Sequence, residues 1–245
     1  MIRKILMLLL LGVLSFPLYA EKKIIKLATL DWEPYIGQKL ANNGYVAEIA
    51  REAFLREGYE LQLDFLPWAR VVQETKSGKY DGYFPEYYSK EVEKDFIFSA
   101  KFKGGPLVFF KKKGRNISYE KLTDLKPYTI GVVREYVNTE EFDKADYLKK
   151  EEVVDDLTNI KKLLAGRIDL FVADKFVGLY LLRTFLPEKA GEMDFISPSL
   201  EEKDLYLCFP KQITRSEMLV KVFNSGLEKI IKDGTVNKIL KKHGF

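Results

Sequence analysis

The chain has 245 residues, 47% hydrophobic and 31% charged, a globular balance that excludes disorder, collagen-like and coiled-coil architectures. Forty basic side chains against 36 acidic ones leave a formal charge of +4, too mild to indicate a nucleic-acid partner. One cysteine and one histidine exclude a disulfide framework, metal centres built from Cys and His, and triads with a central histidine, so no metal or other cofactor is expected.

Residues 1–20 read as a signal peptide. Arg3 and Lys4 precede an apolar run from Ile5 to Leu14, Pro17 ends it, and Ala20 offers a small residue at the cut. The run is shorter than the roughly 20 residues a bilayer requires, and no cysteine follows it to carry a lipid. The exported chain, from Glu21 onward, is then expected to be soluble and close to neutral.

Periodicity predicts a strand over Ile24 to Leu30 and a helix over Tyr45 to Glu57, with Val46, Ile49, Ala50, Ala53 and Phe54 on one face. A strand over Glu60 to Phe65, a helix over Trp68 to Lys76 and a short strand, Gly82 to Phe84, follow. Leu107 to Phe110 is an apolar run. The order then recurs: a strand over Tyr128 to Val133, a short helix from about Thr139, a strand at Glu152 to Val154, a helix over Asp156 to Leu164 capped by Asp155 or Asp156, and a strand at Leu170 to Ala173. Leu205 to Phe209 is a second apolar run, in which Cys208 reads as a buried small hydrophobe. Glu217 to Ile231 is an amphipathic helix expected to pack back on the first unit, and Lys241-Lys242 reads as a solvated face.

The two units share a local phrase. Ser77-Gly78-Lys79-Tyr80-Asp81 and Ala165-Gly166-Arg167-Ile168-Asp169 carry glycine, a base, an apolar residue and aspartate in one order, each after the second helix of a β-α-β-α-β unit. Alternating strands and helices predict an α/β architecture of two doubly wound lobes with parallel sheets. The apolar runs at 107–110 and 205–209 are then the two crossings of a hinge. The implied boundaries are 21–108 with 206–245 for one lobe and 109–205 for the other.

In open α/β sheets ligands lie beyond the carboxyl ends of the strands. That rule selects Asp31-Trp32-Glu33, Pro67-Trp68, Pro85-Glu86, Arg134-Glu135-Tyr136 and Asp174 as the walls of a crevice between the lobes. Trp32 and Trp68, the two tryptophans of the chain, are rigid and amphipathic and suit the sandwiching of a small solute or a cation. Asp174 ends an apolar strand; its carboxylate can meet a ligand ammonium, cap the helix that starts near Lys175, or do both. Glu33, Glu86 and Asp174 are the acids able to converge across the crevice, whereas the adjacent pairs Asp155-Asp156 and Glu140-Glu141 are expected in solvent. No nucleotide-binding glycine loop, nucleophile elbow or zinc-protease motif is present.

These residues resemble a known family. Trp32-Glu33-Pro34-Tyr35, Gly44-Tyr45, Pro67-Trp68-Ala69-Arg70, Gly78-Lys79-Tyr80-Asp81-Gly82, Phe96-Ile97-Phe98-Ser99 and Gly166-Arg167-Ile168-Asp169, in this order, are similar to the family 3 extracellular solute-binding proteins. The resemblance runs from about Ile24 to His243. It implies two α/β lobes, of the periplasmic-binding-protein type II, that close on a small polar ligand such as an amino acid. It also implies a periplasmic monomer that is not an enzyme and that serves an inner-membrane ABC permease. Trp32 and Trp68 would flank the ligand, and Asp174 would pair with its α-amino group.

One segment departs from the family. Where a Thr/Ser-x-Glu-Arg run usually supplies the arginine that grips the ligand's α-carboxylate, this chain has Ser89-Lys90-Glu91-Val92. Glu135 stands where relatives often carry glycine. Three explanations stay open: Arg70 reaches the carboxylate instead; the ligand lacks a carboxylate; or binding is weak and the protein has another role. An exported enzyme on the same fold, of the cyclohexadienyl dehydratase kind, and a ligand-reporting partner of a sensor kinase are the alternatives to transport.

Overall fold

The computed structural model describes residues 23–245; the predicted signal peptide, residues 1–20, lies outside them. β1 (Lys23–Thr29), α1 (Tyr45–Arg56), β2 (Tyr59–Phe65), α2 (Trp68–Lys76), β3 (Gly82–Glu86), the single turn α3 (Val92–Asp95) and β4 (Phe96–Phe98) build the first half. The long strand β5 (Phe102–Lys112) leads into the second: β6 (Thr129–Val133), α4 (Glu140–Asp143), β7 (Lys149–Val153), α5 (Asp156–Leu164), β8 (Leu170–Asp174), α6 (Lys175–Phe185) and β9 (Met193–Phe195). β10 (Glu201–Pro210) returns to the first half, where α7 (Ser216–Lys232) and α8 (Thr235–Lys242) end the chain.

The strands form one sheet in the order β2-β1-β3-β10-β5-β8-β6-β7, with β4 added on β10 and β9 on β5. β1 pairs parallel with β2 and β3, and β6 pairs parallel with β7 and β8. The expectation of purely parallel sheets is corrected at the centre. β10 runs antiparallel to β3, and β5 antiparallel to β8, because each long strand must leave one half and enter the other. β5 and β10 are themselves an antiparallel pair, with Leu107 opposite Glu201 and Phe102 opposite Leu205, so both crossings between the halves lie side by side.

The repeated phrase has one structural meaning in both halves. Gly78 and Gly166 adopt positive φ, +85° and +71°, to end α2 and α5, a conformation that glycine enters at little cost. The aspartate three residues later then clips the next strand to the first strand of its unit. Asp81 N donates to Lys26 O at 2.9 Å while Lys26 N donates to Asp81 Oδ2 at 2.8 Å. Asp169 N donates to Thr129 O at 2.9 Å while Thr129 N donates to Asp169 Oδ2 at 3.0 Å. Each spare Oδ1 accepts from an arginine, Arg215 Nε in the first half and Arg115 Nη2 in the second.

α7 lies on α1 as its amphipathic pattern requires. Phe54 and Phe223 meet at 5.3 Å between ring centroids, and a Cβ at Gly226 would stand 1.9 Å from Ala53 O. Cys208 is fully buried in β10. Lys241 and Lys242 are exposed, as expected, and Lys242 also pairs with Glu48 of α1 at 2.8 Å, which ties α8 to the same face. Among the described residues no helix is long and apolar enough to cross a membrane.

Candidate functional site

The carboxyl ends of β1, β2, β3, β6, β7 and β8 point at one another across the hinge. A narrow cleft lies between them. Leu30, Trp32, Trp68, Pro85, Glu86 and Tyr87 line it from the first half, Tyr136 and Val137 from the second, and Leu205 from the hinge strand β10. Five of the residues selected by the strand-end rule, Trp32, Trp68, Pro85, Glu86 and Tyr136, therefore share one wall system.

Both indoles are held in place by contacts within the protein. Trp32 and Ile36 form an antiparallel bridge, with Trp32 N donating to Ile36 O at 2.8 Å. The hairpin this makes rests on Gly44, whose φ is +90° and where a Cβ would collide with Tyr35 O at 2.3 Å. Tyr35 then lies tilted against Trp32 with 4.8 Å between ring centroids, and Tyr87 meets it edge-on at 5.9 Å. Trp68 opens α2 after Pro67. Its Nε1 donates across the cleft to Glu135 O at 2.9 Å, and its ring stands perpendicular to Tyr136 at 5.8 Å. Glu135 has φ +64°, in the left-handed region that glycine enters at least cost.

Asp174 is the densest node of the site. Its Oδ1 accepts from the backbone N–H groups of Phe176 at 2.8 Å and Val177 at 3.2 Å, so it is the N-cap of α6. Tyr35 Oη, from the other half, donates to the same carboxylate at 2.9–3.0 Å, and Tyr87 Oη reaches Oδ2 at 3.4 Å. The acceptor positions that the resemblance assigns to a ligand ammonium are thus occupied by two tyrosines and a helix start. Gly105 of β5 makes this contact possible, because a Cβ there would stand 2.0 Å from Tyr35 Oη and 2.7 Å from Asp174 Oδ2. Burial pushes the Asp174 carboxyl up to about 6 and the Tyr35 phenol far above its usual range.

Two further acids are sequestered. Glu86 accepts from Tyr83 Oη at 2.9 Å and Tyr87 N at 2.8 Å, yet burial pushes its pKa up to about 8. Asp156, the first residue of α5, is 3% exposed. Its Oδ2 accepts from Tyr136 Oη at 3.4 Å, while its Oδ1 has no hydrogen-bond partner. Burial first, then the charges of Asp155 and Asp174, push its carboxyl up to about 7, with Tyr136 and Trp32 acting in the opposite direction. The expectation that Asp155 and Asp156 both face solvent is corrected: Asp155 is exposed and caps α5 by accepting from Thr158 N at 2.7 Å, which turns Asp156 inward. The strand-end rule contained this residue. Reading β7 one residue too far, to Val154, hid the loop that follows it.

Other expectations are also corrected. Arg70 does not reach the cleft: it is exposed, and its Nη2 pairs with Glu74 Oε1 one turn along α2 at 2.6 Å. Glu33 is half-buried and lies against Gly37, where a Cβ would meet its Cγ at 2.7 Å, away from the cleft lining. Val92 begins α3 half-buried, packed on the core. Lys203 of β10 is the buried cation nearest the acids. Its Nζ donates to Asn138 O at 2.7 Å, pairs with Glu201 at 3.2 Å and lies 5.0 Å from the centre of the Tyr87 ring. Among the described residues no three His, Cys, Asp or Glu side chains converge as a metal-holding group.

Comparison with known proteins adds three findings. The sequence profile of the bacterial extracellular solute-binding proteins, family 3, matches residues 25–245. Among solved structures, a histidine kinase sensor domain with similarity to periplasmic binding proteins superposes with a TM-score of 0.79 at 18% identity, over 91% of this chain and 97% of that one. An ancestral arginine-binding protein bound to arginine gives 0.76 at 23% identity, over 91% and 98%. The substrate-binding protein of an amino acid ABC transporter gives 0.74 at 20%, over 90% and 99%. These likenesses carry the fold. No match was found among curated protein sequences.

Proposed function

Because the chain belongs to the bacterial extracellular solute-binding proteins, family 3, we propose that it captures a small polar solute, an amino acid or an amine, between its two lobes. On this reading it is a periplasmic receptor, monomeric and without nucleic-acid partners, that hands its solute to an inner-membrane ABC permease. The observation that carries it is the cleft itself. Aromatic side chains from both halves, Trp32, Trp68 and Tyr87 on one side and Tyr136 on the other, wall a single space beside the hinge strands.

The physical mechanism is a population shift. Residues 109–205 move as one lobe about β5 and β10, and the closed form gains only by contacts that bridge the two jaws. Trp68 donating to Glu135 O and Tyr35 donating to Asp174 are such bridges, so closure is keyed to the strand ends that line the cleft. A solute that touches Trp32 or Glu86 and Tyr136 at once adds to them. The test is tryptophan fluorescence together with solution scattering on the purified exported chain, titrated with amino acids and amines. A binding solute is expected to shift indole emission and shrink the radius of gyration together. Emission and envelope that stay constant across the whole panel would refute the reading.

Binding rather than turnover is the favoured activity. The buried acids are each fixed by tyrosines or backbone groups, and the solved structures of like fold are described as binding proteins or a sensor domain.

A further inference from the structure

The chemistry of the cleft narrows the solute class, given the receptor reading above. An amino acid brings a carboxylate as well as an ammonium group, and each must find a partner once desolvated. For the carboxylate this cleft offers no side-chain cation. None of its lining residues is basic. Arg70 points into solvent with Glu74, and Val92 is apolar. Lys203 Nζ donates to Asn138 O and Glu201 and lies over the face of Tyr87. Of the buried carboxyl groups nearby, Asp174 is ionised above about pH 6 and Asp156 above about pH 7, and their charge would repel another carboxylate.

The opposite charge finds a place. Asp174 is saturated by its own neighbours, but Asp156 Oδ1 is a buried oxygen with no hydrogen-bond partner. A native structure rarely leaves such an atom without a purpose. Tyr136, which donates to the other oxygen, and Trp32, whose side chain interacts with the same carboxyl, are both cleft walls, so Asp156 sits directly behind two walls of the cleft. Aromatic faces next to a buried carboxylate are the environment that stabilises an organic cation. We propose that the cleft is selective for a small organic ammonium ion carrying no carboxylate, with Asp156 as its charged acceptor and Trp32 and Tyr136 as its aromatic walls.

Matched pairs that differ by one carboxylate test this on the purified exported chain, stripped of bound solute by unfolding and refolding. Calorimetry compares agmatine with L-arginine, ethanolamine with L-serine, and choline with glycine betaine. The expected result is that, in at least one pair, the amine binds tenfold or more tightly than its carboxylated partner. Asp156→Asn should weaken that amine tenfold or more, whereas Asp155→Ser, which keeps the α5 cap and removes only an exposed neighbouring charge, should change it less than threefold. Because Asp156 holds a proton part of the time near neutral pH, under the influence of Asp155, Asp174, Tyr136 and Trp32, the unmodified chain should also release protons on binding that amine. That release is read from the buffer dependence of the heat and needs no variant that might misfold. If the carboxylated member binds more tightly in every pair that binds at all, the inference falls and the receptor reading stands. If Asp156→Asn folds and binds the amine unchanged, Asp156 is not the acceptor and the inference falls. If no member of any pair binds, the receptor reading falls with it.

Discussion

Replacing Asp174 with alanine and with asparagine separates its structural duties from its charge. Both variants remove the ionisable group, so whatever the buried carboxylate costs at neutral pH cancels between them. Asparagine keeps an Oδ1 for the Phe176 and Val177 N–H groups and an amide that Tyr35 and Tyr87 can still meet. Alanine keeps none of these. It removes an N-cap worth about 1 kcal/mol. It also leaves two buried phenol hydroxyls without their acceptor, at roughly 1–3 kcal/mol each. The alanine variant should therefore be at least about 3 kcal/mol less stable than the asparagine variant, which for a chain of this size lowers the melting temperature by about 6–12 °C. Urea unfolding at pH 7.5, followed by emission of the two cleft tryptophans, measures the difference. If the two variants unfold within about 1 kcal/mol of each other, Asp174 does not clasp the halves as described.

Three more outcomes follow from the same contacts. Glu86, Asp156 and Asp174 hold their protons to about pH 8, 7 and 6, above the ordinary carboxyl values that apply once the chain is unfolded, so the native state binds more protons between about pH 4.5 and 8. Stability contributed by these groups is present at the acid end and lost as pH rises through their native pKa values: the melting temperature should fall from pH 5.5 to 8.5, and Glu86→Gln should flatten that slope. A slope of opposite sign would show that the acids are ionised and solvated. Gly105→Ala forces a methyl group onto Tyr35 Oη and Asp174 Oδ2 and should cost about 1–3 kcal/mol in chemical unfolding, the usual range for overpacking. Glu135→Gly relieves a left-handed backbone position and, after the added freedom of the unfolded glycine is subtracted, should leave stability unchanged or raise it by up to about 1 kcal/mol.

The sequence was informative where local chemistry dictates structure. The helix over Trp68 to Lys76 starts after proline and ends before glycine, and α5 has its limits written by Asp155 and Gly166; both match the structure residue for residue. Strand ends selected the cleft walls Trp32, Trp68, Glu86 and Tyr136 because parallel strands leave their carboxyl ends on one side. What was hidden depends on contacts between residues far apart. Tyr35 and Asp174 are 139 positions apart, and no local pattern announces that one saturates the other. Arg70 looked available because its turn faces the crevice, but Glu74 four residues later offers a nearer partner along the helix surface. Asp156 was set aside as half of a charged pair, when the cap on Asp155 is what sends its neighbour inward.

The grip on an amino acid that the resemblance implies has two ends, and the residues of this chain at both positions bear on each other. Val92 removes the cation expected for the carboxylate, while Tyr35 and Tyr87 occupy the acid expected for the ammonium group. Restoring one end alone should achieve little. A Val92→Arg chain would still meet an Asp174 without open acceptors, and a Tyr35→Phe chain would open Asp174 with nothing to hold the carboxylate. Each is expected to change L-arginine or L-glutamine affinity less than threefold. Together they should exceed the product of the single effects by tenfold or more, since a charged hydrogen bond contributes about 1.5–3 kcal/mol only when its partner end is also seated. Calorimetry on the two single variants and the double variant closes the cycle. A tenfold gain from Val92→Arg alone would mean that Asp174 is open to ligand in solution, and the clasp between Tyr35 and Asp174 would then have to be abandoned as a feature of the binding-competent form.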